Sequence, residues 1–107
     1  MKVAIFLGDS QKVVRSFPEA VRSEAGFQLE KVQRGEEPDD WKPMRTIGSG
    51  VREIRIRDAA GAFRIVYTTT IGEFVYVLHA FQKKTEATSQ RDIELARIRH
   101  RMLTGRN

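Results

Sequence analysis

Cysteine is absent from the 107-residue chain. That excludes disulfides, thiolate nucleophiles and any zinc site with a Cys ligand, and it fits a reducing compartment. Long apolar runs are missing too. The N-terminal stretch offers Val3, Ala4, Ile5, Phe6 and Leu7 before Gly8-Asp9, less than a signal peptide needs, and a spanning helix takes about 20 residues. The expectation is a soluble, cytoplasmic protein with no membrane partner. There is no glycine-rich phosphate loop, because Gly48 and Gly50 are not followed by Lys-Ser/Thr. No serine sits in a nucleophile elbow. His79 and His100 are far apart in sequence and on different expected elements, so no shared metal is expected, and no cofactor.

What is abundant is positive charge, unevenly spread. The net charge is +5. Residues 1–41 carry six Lys/Arg against eight Asp/Glu, residues 42–85 eight against three, and residues 86–107 five against three. All the excess lies after Trp41. Concentrated basic charge is the footprint expected of a protein with a polyanionic partner, and equally of a solvated basic surface with none.

The pattern along the chain predicts one α+β domain over residues 1–107. Residues 3–7 read as a short buried strand ending at Gly8-Asp9-Ser10, with Asp9 or Ser10 as a helix N-cap. Val13, Val14 and Phe17 mark a short helix. Pro18 suits the first turn of a second, whose stripe is Ala20, Val21, Ala25, Leu29 and Val32 and which Gly35 closes. Residues 10–34 are thus a helical hairpin. Residues 35–50 read as one long connection, in which Trp41 is expected to anchor the loop to the core, with ligand binding as the other reading. Residues 51–58, 62–70 and 74–83 read as three strands of an antiparallel meander. Ser89-Gln90-Arg91-Asp92 matches a capping box before a helix running to about Met102. The order is β-α-α-β-β-β-α, a small and mostly antiparallel sheet with the helical hairpin on one face and a C-terminal helix.

Chemistry-bearing residues collect on the expected meander. Arg55 and Arg57 share one face of its first strand, and Arg64 stands mid-strand in Phe63-Arg64-Ile65-Val66-Tyr67. A charge at the centre of a sheet is costly unless that face is wet or the charge is paired. His79 lies late in the third strand, and Lys83 and Lys84 follow where it emerges. If the strands are neighbours, these cations converge on one open face. Two other readings stand beside this one: Arg55 and Arg57 pair with Glu53, Asp58 or Glu73 across the sheet, or His79 is a hydrogen-bonded core histidine.

The element order resembles that of the RelE/ParE toxin superfamily. Trp41-Lys42-Pro43-Met44-Arg45 with Val51-Arg52-Glu53-Ile54-Arg55 is similar to the HigB-like, phage-derived branch, as is Leu78-His79-Ala80-Phe81-Gln82-Lys83-Lys84-Thr85 followed by Ile93-Glu94-Leu95-Ala96. Phe63-Arg64-Ile65-Val66-Tyr67 resembles the family's Arg-containing central strand. Where RelE carries two alternating lysines on its first meander strand, this chain has Glu53 and Arg55, and Gln90 stands near the position of an aromatic that some relatives use. The resemblance implies the toxin of a type II toxin–antitoxin system, cleaving mRNA on the ribosome by metal-free attack of a ribose 2′-OH on the adjacent phosphate. It implies a cognate antitoxin, of helix-turn-helix type, and the ribosome and mRNA as partners. Alternatives are a ParE-like, non-enzymatic gyrase inhibitor and a degenerate phage protein that only binds.

On that reading Arg64 stabilises the phosphorane, since guanidinium stays protonated and binds phosphate bidentately. Lys84 is a second clamp or the acid. His79 is the base at neutral pH provided its ring faces the cleft; otherwise a lysine among neighbouring cations serves. Arg45, Arg55, Arg57 and Lys83 hold phosphates. Neither Arg64 nor Arg57 is assigned to the core.

Overall fold

In the computed structural model, which describes residues 1–105, the chain forms β1 (Val3–Phe6), α1 (Ser10–Ser16), α2 (Glu19–Gln33), β2 (Trp41–Pro43), β3 (Val51–Asp58), β4 (Gly61–Thr68), β5 (Phe74–Lys83) and α3 (Gln90–Thr104). The last two residues of the expected domain lie outside this range. The sheet order is β1-β5-β4-β3-β2. β1 runs parallel to β5 and every other pair is antiparallel. The anticipated order holds, with one addition. The connection after α2 contains a three-residue strand, β2, that caps the β3 edge. It is too short, and too interrupted by Pro43, to show a period of two.

The strands form where β-branched and aromatic residues alternate. Ile54, Ile56, Phe63, Ile65, Tyr67, Val75, Val77 and Ala80 face α1 and α2 and pack with Val14, Phe17, Val21, Ala25, Leu29 and Val32. The opposite face carries a smaller cluster, Val51, Val66, Leu78 and Phe81 against Met44, Ile47 and Ala96. Ala96 is fully buried; its small side chain lets α3 approach the sheet closely. Trp41 lies outside both clusters but is half-buried and fixed to the sheet edge, paired through β2 with the core residue Ile54. No helix among the described residues is long and apolar enough to cross a membrane.

One irregularity decides what lies under α3. Between Val66 and Tyr67 the β4–β5 register shifts: Val66 opposes His79, but Tyr67 opposes Val77. Leu78 is the extra residue of a β-bulge. Leu78 and His79 therefore point to the same face, toward α3, while Val77 and Ala80 point to the helical hairpin.

The capping box is real: the Ser89 hydroxyl accepts from the Asp92 N–H at 3.1 Å. Asp9, at the α1 N-cap, makes no side-chain cap bond; its carboxylate is engaged elsewhere. Ser89→Ala is expected to cost about 1 kcal/mol, read as a lower urea midpoint at unchanged slope, whereas Ser10, whose hydroxyl donates to the buried Val77 carbonyl at 3.2 Å, is a packing residue rather than the cap.

Candidate nucleic-acid interface

Strand register settles which cations share a face. Arg55 opposes Arg64, which opposes Phe81; Arg57 opposes Ala62, which opposes Lys83. Alternation puts Arg55, Arg57, Arg64 and Lys83 on the face that carries α3. Arg57 and Lys83 thus flank the small side chain of Ala62, two strand spacings or about 10 Å apart. Arg57 is exposed and Lys83 half-buried, and among the described residues neither forms an ion pair. Lys84 follows the strand, exposed. Arg45 is not with them. Met44 N–H bonds Val51 O, so Arg45 sits beside the start of β3 while Arg57 is near its end.

Arg55 and Arg64 are tied to acids. Arg55 Nε lies 3.2 Å from Asp40 Oδ1, on the residue just before β2. Arg64 is 4% exposed and Glu53 1%, with Arg64 Nε 3.3 Å from Glu53 Oε1. The angle does not make a hydrogen bond, and both atoms lack one. Arg64 also donates to Phe63 O at 3.1 Å. Burial pulls the Arg64 pKa below the usual arginine value; Glu53 opposes this, and Arg55 and Arg57 add to it. Glu53 itself receives the Thr88 hydroxyl at 3.4 Å, so the segment leading into α3 closes over the pair. The expectation that Arg64 lies outside the core is corrected: it is a buried charge with a buried partner.

His79 does not face an open cleft. Its ring is buried beneath α3, with Nε2 2.7 Å from Asp92 Oδ1 and Nδ1 3.2 Å from an Arg99 guanidinium nitrogen. Arg99 can only donate, so Nδ1 accepts and the proton of a neutral ring sits on Nε2, shared with Asp92. Arg99 also donates to Leu78 O at 3.0 Å and to Asp9 Oδ1 at 2.9 Å. The chain Asp9–Arg99–His79–Asp92–Ser89 clamps α3 to β5 and to the turn before α1. Both ring nitrogens being engaged, the condition for His79 as base is not met in this arrangement. Sequence reading missed Asp92 and Arg99 as His79 partners. Their seven-residue spacing puts them on one face of the last helix, the signal that was there to use.

The family described as phage-derived protein Gp49-like (DUF891) matches residues 12–101. The chain belongs to that family. Its fold is RelE-like: it is similar to a crystal structure of the isolated E. coli RelE toxin, at 17% identity and a TM-score of 0.60, over 80% of this chain and 89% of that one. No curated protein matches in sequence.

Two outcomes follow. Glu53→Ala strands a buried guanidinium and is expected to cost about 3–5 kcal/mol, whereas replacing the pair together with Glu53→Leu and Arg64→Met recovers most of that loss, as buried pairs replaced by apolar groups do; chemical denaturation of the parent and the two variants measures it. The second concerns acid. The Arg99 hydrogen bond holds the Asp9 carboxyl below the usual aspartate range. A depressed folded-state pKa contributes stability above the unfolded value, near 4, that is lost as pH falls through the folded one. Asp9→Asn should therefore flatten the fall in stability below about pH 4 and leave the profile above pH 6 parallel to the parent.

Proposed function

We propose that this protein is the toxin of a type II toxin–antitoxin pair and a ribosome-dependent mRNA endoribonuclease, acting in the cytoplasm as one domain. The observation that carries the reading is the cationic row Arg57–Ala62–Lys83 beside Arg55 and Arg64 on one face of a RelE-like sheet. The name of that neighbour, a toxin, supports the class.

Cleavage by 2′-OH attack needs a base, charge stabilisation at the phosphorane and an acid for the leaving 5′-oxygen. Arg57 and Lys83 hold the phosphates flanking Ala62, with Arg55 beside them, and Arg45 makes a separate contact. Arg64 supplies the charge stabilisation. It is reached when the segment tied to Glu53 through Thr88 moves aside. With His79 held by Asp92 and Arg99, its role is to position α3, and Lys84 is the exposed titratable group left for proton transfer. A proteinaceous antitoxin, of helix-turn-helix type, would cover this face with an acidic segment.

The experiment is single-turnover cleavage on programmed ribosomes at saturating enzyme. Arg64→Lys keeps a cation for Glu53 and is expected to cleave about 10²-fold more slowly, the scale of losing one preorganised donor. Arg57→Ala should cleave at the parental rate once saturated, with an affinity defect that shrinks as salt is lowered. A parental rate for saturated Arg64→Lys removes Arg64 from the chemistry. Intact messages together with stalled DNA supercoiling would mark a ParE-like gyrase inhibitor instead.

A further inference from the structure

At the opposite end of β3 from Arg57, and on the other face of the sheet, stands a second group of aromatic and cationic side chains. β2 pairs Trp41 with Ile54 and Pro43 with Arg52. Ile54 faces the helical hairpin, and alternation gives Trp41, Pro43 and Arg52 that same side. The Arg52 guanidinium lies over the Trp41 ring, 4.0 Å from its centroid, and is held there by Glu37 at 2.8 Å. Both line a surface cavity of about 640 Å³ with Arg45, Ser49 and Gly50. Arg52 and Trp41 are half-buried and Arg45 exposed.

Three features of this cavity point to its ligand. Trp41 is the only tryptophan in the chain, lies outside both core clusters and, though half-buried, borders the cavity with the part of its ring that folding leaves uncovered. A guanidinium held over an indole extends a polarisable surface of the kind on which bases stack. Of the two arginines in the cavity lining, Arg52 is paired with Glu37, while Arg45 forms no ion pair among the described residues and keeps its charge for a phosphate; Ser49 adds a hydroxyl and Gly50 a backbone free of side chain.

We propose that Trp41, Arg52 and Arg45 form a stacking subsite for one unpaired nucleotide of single-stranded RNA. The base lies against the Trp41–Arg52 stack and its phosphate is met by Arg45. The subsite deepens the RNA reading above and rests on it. Five residue steps along β3 separate Arg52 from Arg57, about 17 Å of strand, so the subsite binds RNA away from the reacting phosphate. It also gives Arg45, isolated from the other cations, a place in RNA binding.

The lone tryptophan reports on its own site. A fluorescein-labelled 12-nucleotide single-stranded RNA is titrated into the full chain, with anisotropy and Trp41 emission followed together, and a duplex of the same sequence as control. The single strand should quench Trp41 with the same midpoint as the anisotropy change, and the duplex should not. Trp41→Ala should bind the single strand about 5- to 150-fold more weakly, the loss of one base–aromatic stack, with an unchanged slope of log K against log salt. Arg45→Ala should reduce that slope by about 0.7, one phosphate contact on a single strand. Trp41→Phe should keep part of the affinity. Arg52→Lys, which keeps charge but not the planar stack, should lose affinity in a fold that retains Trp41.

RNA binding that leaves Trp41 emission unchanged overturns the proposal. So does equal affinity of the Trp41→Ala protein, equal quenching by the duplex or by poly-glutamate, or no binding of the single strand at all. Message cleavage on translating ribosomes, measured with the same preparation, separates the two readings. Cleavage with a silent Trp41 refutes the subsite and leaves the ribonuclease; quenching without cleavage refutes the ribonuclease and leaves the subsite.

Discussion

Because Leu78 is one residue more than β4 can match, β5 changes parity in its middle. Before the bulge, Val75 and Val77 face the helical hairpin; after it, Ala80 does. Leu78 and His79 fall together on the other side, where Leu78 fills the small cluster under α3 and His79 takes hold of Asp92 and Arg99. That cluster is the smaller of the two. A helix laid on it needs polar bonds of fixed geometry as well as apolar area, and the clamp from Asp9 to Ser89 provides them at low cost in exposed charge. Without the bulge, His79 would point into the larger core as an unpartnered polar ring, which burial penalises, and α3 would lose its attachment to β5.

The position of α3 governs the second unusual feature, the Glu53–Arg64 pair. Two buried charges in imperfect alignment are not a source of stability, since desolvation consumes most of their attraction. The pair persists because each partner alone would be worse. Its location matters more than its energy. It lies on the sheet face shared by Arg55 and Arg57, under the segment that leads into α3, so a guanidinium is held in a low-dielectric site beside a cationic rim. An acid where RelE carries a lysine looks adverse to phosphate binding in the sequence. In the fold Glu53 is turned onto Arg64 and away from solvent.

The meander, the helical hairpin and the Ser89 cap were legible because each is local: period two, period 3.6, and a side chain three residues from its partner. β2 was not, because three residues with a proline carry no period. His79 does share a face with Arg64, as expected, but that face is covered there, which is the hydrogen-bonded buried histidine of the open alternatives; its partners Asp92 and Arg99 lie on a separate element that no pattern within β5 reaches. Arg55 and Arg57 were correctly put on one face of a strand, but Asp40, the partner of Arg55, comes from fifteen residues earlier, beyond any pattern within the strand. Glu53 was seen as a departure, and its partner on the adjacent strand was one of the open alternatives only for the wrong arginines.

Charge makes the same point at a larger scale. The sequence locates the basic excess after Trp41 but says nothing of how it divides. Folding separates it by the two faces of a single strand. Arg55 and Arg57, at odd positions of β3, join the α3 side with Arg64 and Lys83; Arg52, at an even position, turns to the hairpin side with Trp41. Acids from the N-terminal portion, where they are in excess, then neutralise selectively: Glu37 takes Arg52 and Asp40 takes Arg55. Arg57 and Lys83 keep their charge open to solvent, separated by the one small side chain, Ala62, in their row. A cationic strand of alternating arginines thereby becomes a directed surface, because the connection that precedes β2 leaves only its far end uncovered.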